Sequence, residues 1–371
     1  MAYGAVLIVT HEASPFRGGI ATYVDKLASA ARDRGRKVTV ISPKYDDVKG
    51  PGAYGQLRLL RHHTVDPLRW LIVAAFVALR TRRDTLLHAA DLRSAVLVFA
   101  LSVILRRNYI VTAHGSEIRK LHGRGVVSRA LRRAYAQASF VACNSGYTQQ
   151  AIAEVLPSTT DLRVTPLGVG ADWFDAPATA FNNPGLATID PSACIVCTVG
   201  RMERRKGHLD VIKTLAPLFG TYPALRYVAA GATVDEAYLQ EIQKEARKHD
   251  GRVIVAGALS FDDIRLLFAR SRCHVIAASV VEGKVEGYGL VALEAGAQGC
   301  PTVATRVGGL PEAIVHNLTG LLVEPAQPLE LAAAITSLLD QNSLRDALGR
   351  AAQVRAAAQT WAATAFATYG Q

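Results

Sequence analysis

Short, uninterrupted apolar runs recur along this chain, and each is followed by a glycine-marked break and a longer stretch of helical periodicity. Residues 5–10 (AVLIVT), 37–42, 85–88, 109–113 and 140–145 form one series. Residues 195–199, 225–231, 253–257 and 273–278 form a second. A run of four to seven residues that is apolar at consecutive positions, rather than at alternate ones, reads as a strand covered on both faces. Parallel strands are covered in this way because their crossover helices lie on the sheet. Residues 20–34 and 92–105 have the periodicity of such helices. The alternation therefore predicts an α/β protein with doubly wound sheets, whose ligands gather at the carboxyl ends of the strands. At 371 residues the chain has length for two such domains.

Composition narrows the partners. Half of the residues are hydrophobic and a fifth are charged, which excludes wholesale disorder. The five cysteines are an odd number, so they imply no disulfide framework. Cys194 and Cys197 have a metal or redox spacing but lie inside the apolar run 194–199, and no second Cys or His pair completes a zinc site. A buried strand is the better reading. The net charge of +11 is unevenly placed: residues 1–185 carry 24 Lys and Arg against 13 Asp and Glu, whereas residues 186–371 carry 18 against 18.

A basic first half points to an anionic partner. Nucleic acid is set aside, because no recognition motif is present and the arginines are not interleaved with aromatics. An anionic membrane surface or a lipid-diphosphate acceptor fits the charge. Residues 119–133, with Arg119, Lys120, Arg124, Arg129, Arg132 and Arg133, read as a basic amphipathic helix, either a solvated face or a peripheral membrane contact. The first ten residues lack the marks of a signal peptide. The apolar runs 70–79 and 95–105 are about half the ~20 residues that span a bilayer, so each reads as a buried helix. The expectation is a cytoplasmic protein, peripheral on the inner face of the membrane.

The chemistry concentrates in residues 279–312, around EGYGLVALE from Glu286 to Glu294. Two carboxylates flank a glycine break and the first turn of an apolar helix. The backbone amides at Gly289 and Leu290 suit a diphosphate, since unpaired N–H groups and the positive dipole end both favour anions. Glu294, about 6 Å further along the axis, is spaced to accept ribose hydroxyls, and Glu286 those of a sugar. Each acid alone is adequately explained as a helix-terminus or solvated charge. In the loop 200–207 (GRMERRKG), Arg201 and Lys206 can converge on one anion, the first as a fork and the second as a point charge. Gly18 and Gly19 follow the first strand and open a helix, a phosphate-compatible turn that a plain strand–helix connection explains as well. His114 ends the run 109–113 and precedes a glycine. No Asp-x-Asp is present, only Asp46-Asp47 and Asp262-Asp263, so no metal is expected.

Taken together, the Glu286 and Glu294 pair with seven residues between them, the following 295–304 and 307–312, and the Arg201 and Lys206-Gly207 spacing resemble the retaining glycosyltransferases of family four, also known as glycosyl transferases group 1. The resemblance covers nearly the whole chain, strongly over 200–325 and loosely over 44–87. It implies a GT-B architecture, two Rossmann-like domains facing an interdomain cleft, and a nucleoside diphosphate sugar as donor, with neither cofactor nor metal. It implies a glycan or lipid-linked acceptor in bacterial cell-surface polysaccharide or glycolipid synthesis. By resemblance, Arg201, Lys206, Gly289 and Leu290 hold the diphosphate and Glu294 the ribose. Ala258 and Leu259 flank the base, Gly19 borders the diphosphate, and His114 and Glu286 contact the transferred sugar. The expected domains are 1–178 for the acceptor and 190–355 for the nucleotide sugar, joined by a linker within 175–193, with 356–371 as a helix returning to the first domain. Two other functions are compatible: a nucleotide-sugar 2-epimerase of the same fold, and a non-catalytic module binding nucleotide sugar or anionic lipid.

Overall fold

The computed structural model describes residues 4–15, 18–44, 55–61 and 66–370. Asp46, Asp47 and the Phe16-Arg17 part of the glycine-rich turn lie outside them. The chain divides into two compact units, Met1–Gly168 together with Gln359–Gln371, and Val169–Ala358.

The first unit is a sheet of β1 (Ala5–Val9), β2 (Lys37–Pro43), β3 (Gly55–Leu60), β4 (Thr85–Ala89), β5 (Tyr109–Ala113), β6 (Val141–Cys143) and β7 (Leu162–Val164). Its order is β3-β2-β1-β4-β5-β6-β7, and every adjacent pair is parallel. Ile8 of β1 lies between Val40 of β2 and His88 of β4, so β1 and β4 form the switch point at which the winding reverses. The apolar runs are covered on both faces: β4 and β5 are buried along their whole length. The outer strands β3 and β7 are half-buried or exposed apart from Leu60 at the end of β3, which is why neither reads as an apolar run.

Two helices depart from the sequence expectation of burial. In Pro67–Arg80 only Val73 and Val77 are buried, while Leu68, Leu71, Ile72 and Leu79 face outward. In Leu92–Leu105 the inner face is buried but Val103 and Ile104 are exposed. Both helices are apolar on every side, so hydropathy alone does not say which side meets the core. The helix Trp361–Tyr369 belongs to this unit. Trp361 and Tyr369 are buried, and the Thr364 hydroxyl donates to the Pro166 carbonyl at 2.8 Å.

The second unit repeats the pattern with β8 (Cys194–Val199), β9 (Leu225–Ala230), β10 (Val253–Gly257), β11 (Ser271–Ile276), β12 (Thr302–Thr305) and β13 (Gly320–Val323). The order β10-β9-β8-β11-β12-β13 is again parallel throughout and reverses between β8 and β11. Cys197 sits in the core of β8, where burial pushes its thiol up to about 12. Residues 175–193, read from composition as connecting chain, are held against this unit. Phe181, Leu186 and Ile189 are buried, and the Asn182 amide donates to Asp263 at 2.7 Å. Just upstream, Trp173 packs edge-on against Phe261 at 4.8 Å, and Arg265 donates to the Asp172 carbonyl at 3.0 Å. Asp263 also accepts from Ser260, and Asp262 pairs with Arg265 at 3.1 Å, so the Asp262-Asp263 pair serves as an anchor for this segment.

Candidate active site

The carboxyl edge of the second sheet gathers the loops after β8, β10, β11 and β12. After β8 the chain makes a short turn, Arg204–Lys206, and enters the helix His208–Leu215 at Gly207. Gly207 has φ +73°, and a Cβ there would lie 2.0 Å from the Ala277 carbonyl oxygen. Only a residue without a side chain lets this turn lie against the end of β11, which fixes where the cations before it point.

Lys206 Nζ donates to Glu286 Oε2 at 2.6 Å, and Arg205 Nη1 donates to the same oxygen at 2.8 Å. Arg205 also pairs with Glu203 at 2.8 Å, and Glu203 pairs with Arg201 at 3.1 Å. Three cations and two carboxylates thus form one chain of ion pairs with a single positive charge in excess. Arg205, Lys206 and Glu286 are each only 12% exposed, so solvent screens them little, whereas Arg201 is 47% exposed. Burial pushes the Glu286 carboxyl up, but Lys206 and Arg205 outweigh it and hold the group down to about 2. At neutral pH Glu286 is an anion, fitted to accept hydrogen bonds and unable to serve as an acid.

The loop carrying Glu286 is pinned from below, because the Gly309 amide donates to the Glu286 carbonyl at 2.9 Å. Three residues on, Gly289 opens the helix Leu290–Ala297 with φ +90° and no side-chain cap. A Cβ on Gly289 would lie 2.5 Å from Leu310 Cδ2. Leu290 and Glu294 are half-buried on this helix. At the end of β10, Ala258 is exposed and Leu259 is buried, and the Gly257 carbonyl accepts from Gly231 at 2.7 Å. Of the residues singled out in this half, the structure joins Lys206 to Glu286 directly and Arg201 through Glu203. Arg205 and Glu203 were missed by sequence reasoning. The run Arg204-Arg205-Lys206 was the available signal, but nothing in it tells which cations turn inward; Arg204 turns out toward Glu241.

In the first unit, His114 follows β5 at the carboxyl edge. Its amide donates to the buried Glu117 carboxylate at 2.9 Å, and its Nε2 lies 3.0 Å from the Ala90 carbonyl. A carbonyl only accepts, so Nε2 carries the proton of that hydrogen bond. The ring stands edge-on to Tyr23 at 4.8 Å. The Tyr23 hydroxyl is 2.9 Å from Thr112, Thr112 is 2.7 Å from His88 Nε2, and His88 Nδ1 is 2.7 Å from the Tyr369 hydroxyl. Burial first, and His114 second, push His88 down to about 3, so it stays neutral. Gly19 is the first residue of the helix Gly19–Asp33, and a Cβ on it would meet nothing within 4 Å. The same edge carries His11 and Asp91, which sequence reasoning did not single out. The His11 amide donates to Asp91 at 2.5 Å, and burial pushes the Asp91 carboxyl up less than His11 pulls it down, leaving it below the usual range.

Comparison with known families gives two matches that follow the two units. Residues 17–173 match the family model Glycosyltransferase Family 4, and residues 187–355 match Glycosyl transferases group 1. The chain carries both domains of a glycosyltransferase.

This glycosyltransferase is 27% identical to a glycogen synthase of Mycobacterium tuberculosis, over 98% of this chain and 93% of the relative. It is also 27% identical to the GDP-mannose-dependent alpha-(1-6)-phosphatidylinositol monomannoside mannosyltransferase of the same organism, over 95% and 94%. Among solved structures, Anabaena HepE in complex with UDP and glucose superposes with TM-score 0.77 at 19% identity, covering 97% of this chain and 96% of that one. Sucrose-phosphate synthase from Thermosynechococcus elongatus gives 0.80 at 21% identity, covering 98% and 96%. These neighbours and the two parallel sheets establish the GT-B fold of the glycosyltransferase.

Proposed function

We propose that this glycosyltransferase takes a nucleoside diphosphate sugar, with uridine as the base, and moves a hexose or N-acetylhexosamine with retention to a glycan or lipid-linked acceptor in bacterial surface polysaccharide or glycolipid synthesis. The observation that supports it most is Glu286 clasped by Lys206 and Arg205 beside the uncapped helix entrance at Gly289. The carboxylate engages both cations. A diphosphate brings more negative charge than Glu286 and competes for them. Its arrival frees carboxylate oxygens that can accept sugar hydroxyls.

In this reading Lys206 and Arg201, with the amides of Gly289 and Leu290, neutralise the leaving diphosphate, the larger electrostatic contribution. Glu294 accepts the ribose hydroxyls, and the chain at Ala258 and Leu259 flanks the base. In the first unit, Gly19 has no side chain to crowd a phosphate, and His114, whose Nε2 is engaged by the Ala90 carbonyl, has Nδ1 to offer a sugar hydroxyl. Glu286, anionic at neutral pH, steadies the positive character that develops on the sugar as its bond to phosphate breaks. The acceptor oxygen bonds to the anomeric carbon on the face the diphosphate leaves, and its proton passes to the departing phosphate oxygen. No protein base is used. The HepE complex holds UDP and glucose, and the mannosyltransferase is named for GDP-mannose, which supports a donor of this class.

A thermal-shift panel of nucleoside diphosphates and their sugars tests the reading. Saturation at about 100 times Kd should stabilise the protein by about 2.7 kcal/mol. Acceptor-dependent transfer with retained anomeric configuration completes the test. If no nucleoside diphosphate raises the melting temperature, the proposal fails; if the sugar is epimerised without an acceptor, the 2-epimerase takes its place.

A further inference from the structure

The outward face of the helix Pro67–Arg80 is built opposite to an ordinary surface helix. Asp66 caps it, accepting from the Leu68 and Arg69 amides at 3.1 and 3.3 Å, and Val73 and Val77 dock it on the core. A helix anchored in this way normally turns charged residues to water. Here the residues facing out are Leu68, Leu71, Ile72 and Leu79, which are 67%, 67%, 44% and 82% exposed, and the helix contains no acidic residue. The stripe continues onto the neighbouring helix. Arg107 donates to the Thr81 carbonyl at 2.9 Å, tying the ends of the two helices together, and Val103 and Ile104 near that end are exposed as well.

Cations bracket the stripe. Arg80, Arg82, Arg83 and Arg106 are exposed at one end and Arg61 at the other. The neighbouring acids are engaged, Asp66 with Arg61 at 3.2 Å and Asp84 with Arg82 at 3.3 Å. An apolar stripe with arginines at its margins fits a surface that is itself layered, oily beneath an anionic rim.

We infer that the Leu68–Leu79 face of this helix, with Val103 and Ile104, docks the first unit flat on an anionic lipid bilayer. The helix has 14 residues, short of the ~20 that span a bilayer, and its other face belongs to the core, so it lies in the interfacial plane. Protein partners favour aromatic anchors at the centre of a contact, whereas this stripe is aliphatic and its aromatics, Trp70 and Phe76, are turned toward the core. The basic segment 119–133, expected from sequence to be one helix, is split between Ile118–Leu121 and Val126–Ala136, and it is a weaker candidate, since its exposed large apolar residues are only the adjacent pair Val126 and Val127.

The test is co-sedimentation of the full chain with phosphatidylcholine vesicles with and without phosphatidylglycerol, at low and high salt. Binding is expected only with phosphatidylglycerol, and is expected to weaken with salt. Leu71→Ser with Leu79→Ser should abolish it without altering the melting temperature, as both side chains are exposed. Arg80→Gln, Arg82→Gln and Arg83→Gln together should reduce it, by roughly fivefold per charge. Equal binding to neutral vesicles, wild-type binding by either variant, or loss of binding through Arg119→Gln, Arg124→Gln and Arg129→Gln instead would overturn the inference. So would a dimer that the leucine variant converts to monomer, because the stripe would then be covered by a second copy of the chain.

Discussion

Replacing Glu286 by Gln removes one charge and little else, and the structure sets the size of the effect. The carboxyl is held from its ordinary 4.5 down to about 2 by Lys206 and Arg205. At 1.36 kcal/mol per pK unit, that is about 3 kcal/mol of stability at pH 7. For a unit of this size it corresponds to a fall of roughly 6–12 °C in melting temperature. The sign follows from the direction of the shift. Because the folded-state pKa is depressed, the stabilisation is complete above about pH 4.5 and is lost as pH falls toward 2. Calorimetry of the wild type and Glu286→Gln between pH 7 and pH 3 should therefore give a constant gap that shrinks to roughly half by pH 3. Nucleoside diphosphate affinity should hold or improve, since the cations lose a competitor, while sugar transfer falls. A gap below about 1 kcal/mol at pH 7, or one indifferent to pH, would refute the reasoning from the buried ion pairs.

Lys206→Ala should weaken binding of the free nucleoside diphosphate by roughly tenfold to a hundredfold, as expected for a charge-assisted hydrogen bond, while Arg205 still pairs with Glu286; isothermal titration calorimetry decides it. Glu294→Gln should reduce turnover of ribonucleotide donors far more than of their 2′-deoxy analogues. Equal loss on both in a steady-state assay would remove Glu294 from the ribose.

What could be read from the sequence was whatever repeats. Consecutive apolar positions marked β1, β4, β5, β8 and β9, because burial on both faces leaves no alternative composition. The edge strand β3, GQLRLL, is half-buried and mixes with polar residues, so it left no comparable trace. The helix Pro67–Arg80 misled for the opposite reason: apolar all round, it implied burial that the fold gives to one side only. The segment 175–193 looked like free chain because it is rich in small residues, yet three well-spaced side chains, Phe181, Leu186 and Ile189, suffice to hold it down. In the site, the Glu286 and Lys206 pairing was foreseeable as proximity to a shared anion. That Arg205 shares the same carboxylate oxygen depends on the handedness of one short turn, which residue identities do not encode.

The buried relay from Tyr23 through Thr112 and His88 ends on Tyr369, a residue separated from the others by the entire second unit. Arg36 reinforces that join by donating to the Tyr369 carbonyl at 2.8 Å. The second unit is one continuous stretch of chain, whereas the first is assembled from two stretches that lie on either side of it in sequence. His114, edge-on to Tyr23, therefore rests on a network whose last member is supplied from beyond the second unit, so a change at Tyr369 reaches the carboxyl edge of the first sheet without touching any residue near it in sequence.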